Sequence, residues 1–330
     1  YLILITVLII GSANCHSQNN NKMKQQNNPL MCDPETGVCE IPTNETNSDE
    51  SSLITAGKKP VKVIYFTDPI CSACWGIEPQ LRKLKLEYGD SVEVDYRMGG
   101  MLKDWSYNNG EISKPSDVAH HWDEVSAYYD MPIDGDVWLE DPLDSSFPAS
   151  IAFKAAQMQN NEKAILYLRE VREMVFVKKM NIAKWENLVQ AAKNVGLDVE
   201  KFKADYEGQA KVLFEEDLKM ARQFGVRGFP TLFFTDASGR TELVYGSKPY
   251  SAFEQTLLKL LSTATKQSYD KSWSSIFSKY NSLTAKEFSV LSGVSRNESE
   301  NLLNELTRKQ NLKEVTSKNG ALWTLQKAGR

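Results

Sequence analysis

One short segment limits what this chain can fold into more than any other: an apolar strand pattern that leads directly into a cysteine pair and a helix. The run from Val61 to Phe66 is apolar and β-rich, with prolines on both sides, and it predicts a buried strand. Cys71 and Cys74 follow, separated by two residues, and apolar side chains then recur at helical spacing as far as Tyr88. This order predicts a small α/β domain with a CxxC pair at the start of a helix.

The position of the CxxC pair indicates its chemistry. Unpaired amides and the helix dipole stabilise a thiolate at a helix N-terminus, so we predict that Cys71 is the nucleophile. Cys74, about one turn later, would resolve a mixed disulfide. A CxxC can also be half of a zinc site or a structural disulfide. The sequence has no second CxxC and its three histidines lie elsewhere, which favours redox chemistry over a metal site.

Four segments together resemble a known family. They are Asp68-Pro-Ile-Cys-Ser-Ala-Cys-Trp75, Asp136-Val-Trp-Leu-Glu-Asp-Pro142, Ser145-Ser-Phe-Pro-Ala149 and Gly225-Val-Arg-Gly-Phe-Pro-Thr231. Over about residues 60 to 265 the chain is similar to the DsbA family of the thioredoxin-like superfamily, specifically its FrnE-like branch. The resemblance implies a thioredoxin fold with a helical insertion and dithiol–disulfide exchange on proteins, without a stored cofactor. Ser72-Ala73 replaces the proline-containing pairs common in the superfamily, and no counterpart of its assisting buried acid is evident.

Pro230 directly precedes an apolar strand pattern. A proline at this point of a thioredoxin-like chain is expected to be cis and to lie beside the CxxC, where the preceding backbone can hold an extended client strand. The alternative is an ordinary proline at a strand entry. Phe229 and Trp75 flank this predicted site as candidates for an apolar substrate surface, with core packing as the alternative for Trp75.

The N-terminal residues indicate targeting. About ten apolar residues and a few small ones precede Cys15, a run too short to span a bilayer and typical of a secretory signal. We therefore predict a signal peptide or lipoprotein signal over residues 1–16 and a periplasmic or otherwise exported protein, with Cys15 a candidate for lipid attachment to a membrane. Residues 17–57 are polar and predict a flexible tether.

A second cysteine pair lies within this tether. Pro34 and Gly37 predict a turn that brings Cys32 and Cys39 together. The loop between them is small, so a disulfide there would stabilise little and would be fairly exposed. Three interpretations stay open: a second redox pair that passes electrons to the CxxC, a local structural bridge, and capture of a thiophilic metal.

The predicted fold is α/β: a thioredoxin-like domain over residues 58–265, with a helical insertion at about 100–218, and a winged-helix-like module over 266–330. The module pattern is two helices followed by a hairpin around Asn319-Gly320. A formal net charge of −4 and acidic residues in the second helix, such as Glu298 and Glu305, argue against a nucleic-acid partner. We predict that this module contacts protein or forms a dimer.

The main functional prediction is a thiol–disulfide oxidoreductase or isomerase. It would exchange disulfides with cysteine-containing client proteins and be recycled by an unidentified redox partner. Two alternatives are a non-catalytic DsbA-like adaptor that binds a client and a thiophilic metal-binding protein. The residues do not determine whether exchange would run towards oxidation, isomerisation or reduction.

Overall fold

The computed structural model describes residues 32–33, 36–40, 59–106 and 112–326. The signal-like residues 1–16, Cys15 included, lie outside this range, as does most of the predicted tether. The first described elements are two short strands, β1 (Cys32–Asp33) and β2 (Val38–Glu40), which pair antiparallel as a hairpin.

A four-stranded sheet forms the centre of the molecule. Its strands are β3 (Val61–Thr67), β4 (Val92–Met98), β6 (Thr231–Asp236) and β7 (Thr241–Tyr245), in the order β4-β3-β6-β7. β3 pairs parallel with β4 and antiparallel with β6, and β6 pairs antiparallel with β7. β3 is apolar along nearly its whole length because it is a central strand that is covered on both faces.

Helices cover this sheet. Two follow β3 and one follows β7: α1 (Ser72–Gly76), α2 (Glu78–Tyr88) and α10 (Tyr250–Leu260). The predicted helical insertion lies between β4 and the two-residue strand β5 (Gly228–Phe229). Its helices are α3 (Pro115–Tyr129), α4 (Val137–Glu140), α5 (Phe147–Gln159), α6 (Asn161–Phe176), α7 (Trp185–Asn194), α8 (Val199–Glu207) and α9 (Gln209–Gln223). The prediction of a thioredoxin-like α/β fold with a helical insertion is confirmed.

The C-terminal segment is a compact winged-helix-like module, as predicted. Its elements are α11 (Trp273–Lys279), β8 (Ser282–Thr284), α12 (Ala285–Ser292), α13 (Arg296–Arg308), β9 (Leu312–Ser317) and β10 (Gly320–Leu325). The three strands form a sheet in the order β8-β10-β9. Capping boxes at Thr284 and Ser295 start its two longer helices, so side chains satisfy backbone groups that would otherwise lack partners.

This module packs against the core of its own chain through buried charges. Arg169 of α6 donates two hydrogen bonds to the carboxylate of Glu287 in α12, at 2.8 and 3.0 Å. Arg82 of α2 lies 3.2 Å from the same carboxylate and donates to the backbone oxygen of Ser282 at 2.8 Å. The fully buried Glu287 therefore joins the module to both α2 and the insertion.

Candidate functional site

The CxxC pair lies where β3 gives way to α1, and Cys71 and Cys74 are joined in a disulfide. A tight turn positions Cys71, because its backbone N–H donates to the carbonyl of Asp68 at 3.2 Å. Cys71 then caps α1, with the amide of Cys74 donating to its Sγ at 3.1 Å. A donor aimed at the first sulfur stabilises negative charge there, which is the arrangement that a nucleophilic Cys71 needs.

Cys39 meets the CxxC pair from another part of the chain, and Pro230 follows the residue with which Cys39 pairs. The Phe229–Pro230 peptide bond is cis. The short strand β5, which ends at Phe229, pairs antiparallel with β2 of the N-terminal hairpin, with Cys39 opposite Phe229. The Sγ atom of Cys39 lies 3.6 Å from the Sγ atom of Cys71. The hairpin thus lies along the stretch of backbone that the sequence assigns to a client strand.

The second cysteine pair is placed differently from the expectation of an exposed loop. Cys39 is disulfide-bonded and fully buried, so the prediction of exposure is wrong for this residue. Its neighbour Val38 is also buried. The residue directly across the hairpin from Cys39 is Cys32. Burial follows from the added strand pairing with β5, a long-range contact that the spacing of the cysteines does not encode.

Two predicted substrate-contacting side chains face the interior. Trp75 is fully buried: its indole N–H donates to the carbonyl of Pro132 at 3.1 Å and its ring stacks on Phe176. Phe229 is also fully buried, and its ring lies so close to Gly99 that a Cβ there would collide with it. Both rings pack in the core, and Phe229 pairs with β2 through its backbone rather than its side chain.

The sequence analysis did not predict a buried polar network that lies between the end of β3 and α2. Arg172 is 1% exposed and donates to the Thr67 hydroxyl at 2.6 Å and the Asp68 carbonyl at 3.3 Å. It also lies 3.2 Å from Glu78 of α2. The guanidinium therefore joins the end of β3 to the helix that follows the CxxC. The available signal was a charged residue that falls among the apolar positions of the helix pattern around Val171.

Asp68, three residues before Cys71, is a fully buried carboxyl group that the sequence analysis did not single out. Its carboxylate accepts hydrogen bonds from the amides of Ile70 and Met101 and from the hydroxyl of Ser146, at 2.8–3.1 Å. Burial nevertheless raises its pKa to about 6, because those donors only partly replace water. An aspartate directly after a buried strand and three residues before Cys71 was the signal that could have identified it.

Arg169 of α6 connects the C-terminal module to the CxxC helix. The guanidinium of Arg169, which binds Glu287, lies 4.2 Å from the centre of the Trp75 ring. Trp75 follows Cys74 directly in α1. The CxxC helix and the C-terminal module therefore share a buried partner.

Neither a metal site nor a membrane-spanning helix occurs in the part of the chain that the structure describes. Within residues 32–33, 36–40, 59–106 and 112–326, no group of three or more His, Cys, Asp or Glu side chains is arranged to hold a metal ion. None of the helices in those ranges is both long and apolar enough to cross a bilayer.

Comparison with solved structures shows the fold. The chain resembles a Nitrosomonas europaea protein described as a candidate disulfide isomerase, with a TM-score of 0.52, 22% identity and coverage of 62% of this chain and 97% of the other. It also resembles the cytosolic disulfide reductase DsbM from Pseudomonas aeruginosa, with a TM-score of 0.50, 23% identity and coverage of 60% and 99%. The predicted thioredoxin-like, DsbA-like architecture is confirmed.

Comparison with curated proteins gives relatives that extend further along the chain. The ClpXP adapter protein SpxH of Halalkalibacterium halodurans is 33% identical over 91% of this chain and 99% of its own length. The protein of the same name from Bacillus subtilis is 31% identical over 81% and 89%. These matches extend beyond the thioredoxin-like domain, which the solved structures cover.

These relatives overturn two predictions. The main prediction of disulfide exchange with clients is contradicted, since relatives of nearly full length are adapters and the adaptor alternative fits them better. The CxxC pattern describes what its sulfurs can do, but it does not show that a client cysteine reaches them. The prediction of a periplasmic or exported protein is also contradicted, because relatives that match most of the chain are named as adapters of ClpXP. A short apolar run has the hydropathy of a secretory signal, but that hydropathy alone does not demonstrate export.

The family model described as thioredoxin matches residues 65–255, more than half of the 330 residues of this chain. The matched region runs from β3 to α10 and contains the CxxC, the insertion and Pro230. The chain therefore belongs to the thioredoxin family, and within it to the group of proteins that includes the ClpXP adapter protein SpxH.

Proposed function

We propose that this chain is an adaptor that binds a client protein and delivers it to the ClpXP protease. The observation that carries the proposal is the 33% and 31% identity to ClpXP adapters over 91% and 81% of the chain. The similarity covers 99% and 89% of those adapters, so it includes the C-terminal module as well as the thioredoxin-like domain.

The geometry suggests how a client would bind. β5 presents the backbone of Gly228 and Phe229 for strand pairing, and the hairpin strand β2 pairs there antiparallel. An extended client segment could form the same main-chain hydrogen bonds, because strand addition requires no particular side chain. The client would therefore be recognised through an extended segment placed beside Pro230.

A rigid arrangement of two parts supports the same function. An adaptor must hold a client at a suitable distance from the protease, and a second surface at a fixed position makes the joint complex stronger than either contact alone. The ion pairs of Glu287 with Arg169 and Arg82 hold the C-terminal module against the client-binding domain. We propose that the thioredoxin-like domain binds the client and the C-terminal module contributes to the protease contact.

The predicted roles of the cysteines are retained as part of this proposal. Cys71 is the more reactive sulfur and Cys74 its resolving partner, supported by the amide of Cys74 that points at Cys71. Pro230 positions an extended strand, and placement in the FrnE-like branch rests on the sequence motifs. Binding of a client does not require exchange with it.

Reconstituted degradation tests the adaptor function. Proteins that persist in cells when this chain is removed identify candidate clients, and one of them is then incubated with purified ClpXP, with and without the chain. We expect the client half-life to fall at least several-fold when the chain is present. The Cys71→Ser and Cys71→Ser/Cys74→Ser variants should retain this effect, because strand pairing uses the backbone.

Two results would contradict the proposal. Degradation that is unchanged by addition of the wild-type chain would remove the adaptor function. Full loss of stimulation in Cys71→Ser, in a variant that unfolds at the wild-type temperature, would mean that exchange chemistry is obligatory for the client.

A further inference from the structure

The described hairpin occupies the edge on which the proposed client would bind. β2 pairs with both residues of β5, Cys39 with Phe229 and Glu40 with Gly228. A strand edge can accept one added strand at a time, because each backbone group forms its ladder bond with a single neighbour. The hairpin and a client segment therefore compete for the same backbone.

The seating of the hairpin is specific. The amide of Ser247 donates to the carbonyl of Gly37 at 2.7 Å, just beyond the end of β7. Gly37 has a positive φ of 66°, and a Cβ there would lie 2.5 Å from the Cβ of Ser247. Gly246 faces the hairpin in the same way, since a Cβ there would collide with the carbonyl of Thr36. Glycines on both sides thus allow a close approach of two backbones.

This seating brings two sulfurs of separate cysteine pairs into contact. The Sγ atoms of Cys39 and Cys71 are 3.6 Å apart, and both residues are fully buried. Reacting atoms held at about 3–3.5 Å react as an intramolecular pair with a large entropic advantage over reagents in solution. The register selects Cys39 for this contact, because Cys32 lies on β1, one strand farther from β5.

We propose that the hairpin is a built-in occupant of the client-strand edge and that Cys39 and Cys71 exchange disulfides within the chain. The exchange does not depend on the adaptor function; only its consequence for a client rests on that proposed function. A Cys39–Cys71 bridge holds the hairpin covalently on the edge and excludes an added strand.

The exchange is balanced within the chain when the CxxC is in its dithiol form, as after treatment with a small dithiol. The Cys71 thiolate attacks Sγ of Cys39, the Cys71–Cys39 bond forms, and the bond from Cys39 to Cys32 breaks with Cys32 leaving as a thiolate. Cys74 then attacks Sγ of Cys71, and Cys39 leaves as a thiolate. The CxxC is oxidised by two electrons and the hairpin pair is reduced by two.

The exchange starts from a disulfide between Cys32 and Cys39, and residues directly opposite each other on antiparallel strands are close enough to form one. Their Cα atoms are about 4.5–5.5 Å apart, within the range that a disulfide spans. Cys32 and Cys39 hold such opposed positions. The pairing in the starting state of the exchange is therefore compatible with the backbone.

A matched pair of full-length variants tests the exchange, each also carrying Cys15→Ser. Cys32→Ser/Cys74→Ser leaves Cys39 and Cys71, whereas Cys39→Ser/Cys74→Ser leaves Cys32 and Cys71. Both are equilibrated in glutathione redox buffers, and the intramolecular bridge is quantified by mass spectrometry of non-reduced peptides. We expect the Cys39–Cys71 bridge to have an effective concentration about 100-fold above that of Cys32–Cys71.

A third variant links the exchange to the seating of the hairpin. Gly37→Ala, added to Cys32→Ser/Cys74→Ser, should lower the Cys39–Cys71 effective concentration at least tenfold, with no change in the unfolding temperature of the core. Equal bridging in the matched pair, or mixed disulfides with glutathione alone, would overturn the proposal. Neither readout uses a client or protease, so failure here leaves the adaptor function intact and failure of degradation leaves the exchange intact.

Discussion

The N-terminal hairpin and the C-terminal module are both attached to the thioredoxin-like core, but by different kinds of contact. The hairpin is held by two residue pairs with β5, a backbone hydrogen bond from Ser247 and the burial of Val38 and Cys39. The module is held by the buried carboxylate of Glu287 between two arginines.

This difference determines which part can be exchanged. Backbone hydrogen bonds each contribute only about 0.5–1.5 kcal/mol net, and any other extended strand can replace them. Removing one partner of a buried ion pair costs about 3–5 kcal/mol, because the remaining charge is left without compensation. The hairpin is therefore a removable occupant, whereas the module is a fixed part of the folded unit.

The largest expected effect comes from breaking the module contact. Glu287→Ala removes the buried carboxylate that Arg169 and Arg82 share, and we expect it to lower the free energy of unfolding by about 3–5 kcal/mol. Urea denaturation measures this loss. Glu300→Ala in the same module is the control: Glu300 is half exposed and pairs with Arg296, so its loss should be below about 1 kcal/mol. Similar losses in both variants would contradict a fixed module.

A pH series tests the comparison further, because stability should change with pH in opposite directions at two buried carboxyl groups, Asp68 and Glu287. Burial raises the pKa of Asp68 from 3.8 to about 6, so its charged form disfavours the folded state. Asp68 should therefore have no effect on the free energy of unfolding below about pH 4. As the pH rises to 6 its ionisation should lower that free energy, and the loss should persist at higher pH. For Glu287, burial acts in the same direction but Arg169 and Arg82 outweigh it and hold the pKa below its ordinary value of 4.5. Its stabilisation is present above that value and is lost as the pH falls further.

The measurable quantity is the unfolding free energy of the wild type minus that of Asp68→Asn at each pH. From pH 3 to pH 8 this difference should fall by about 3 kcal/mol, the equivalent of a pKa shift of about two units. A difference that is flat over this range would mean that water reaches the Asp68 carboxylate. Using the difference separates titration from the altered hydrogen bonds of asparagine, which do not change with pH.

A smaller effect is expected from loosening the hairpin. Val38→Ala removes two buried methyl groups, which weakens hairpin docking by about 1–2 kcal/mol while global stability is unchanged. Hydrogen exchange at the amides of β2 and β5 should then be faster by about tenfold. Thr36→Ala, at an exposed position of the same hairpin, should leave exchange at the wild-type rate. A matching loss of global stability in Val38→Ala would mean that the hairpin is as fixed as the module.

The smallest effect is expected at the exposed part of the module contact. Arg296 bonds to Asp130 at the end of α3, and both side chains are about one-third exposed. Arg296→Gln should lower the free energy of unfolding by about 0.2–1 kcal/mol, since solvent screens such pairs. A loss comparable to that of Glu287→Ala would show that surface pairs, too, fix the module.

Local patterns in the sequence determined the site elements that are close along the chain. The strand ending at Thr67, the CxxC and its helix follow from apolar spacing and turn residues within some 25 positions of each other. The module was predicted from two helix patterns and the Asn319-Gly320 turn, but α11 and β8 were missed because β8 has only three residues. Such segments are too short to show a period.

Only the tertiary structure decided what approaches the site from a distance. Cys39 contacts Cys71 because β2 pairs with β5, where Cys39 lies opposite Phe229, 190 positions later in the chain. No local propensity specifies that register. Arg169 is bound by Glu287, which is 118 positions away, so a charged residue on the buried face of α6 becomes part of a buried junction. The pKa of Asp68 also depends on burial by surrounding elements. The sequence by itself determined the CxxC and its helix, and packing alone decided what covers them, because burial and pairing depend on segments that meet only in the folded chain.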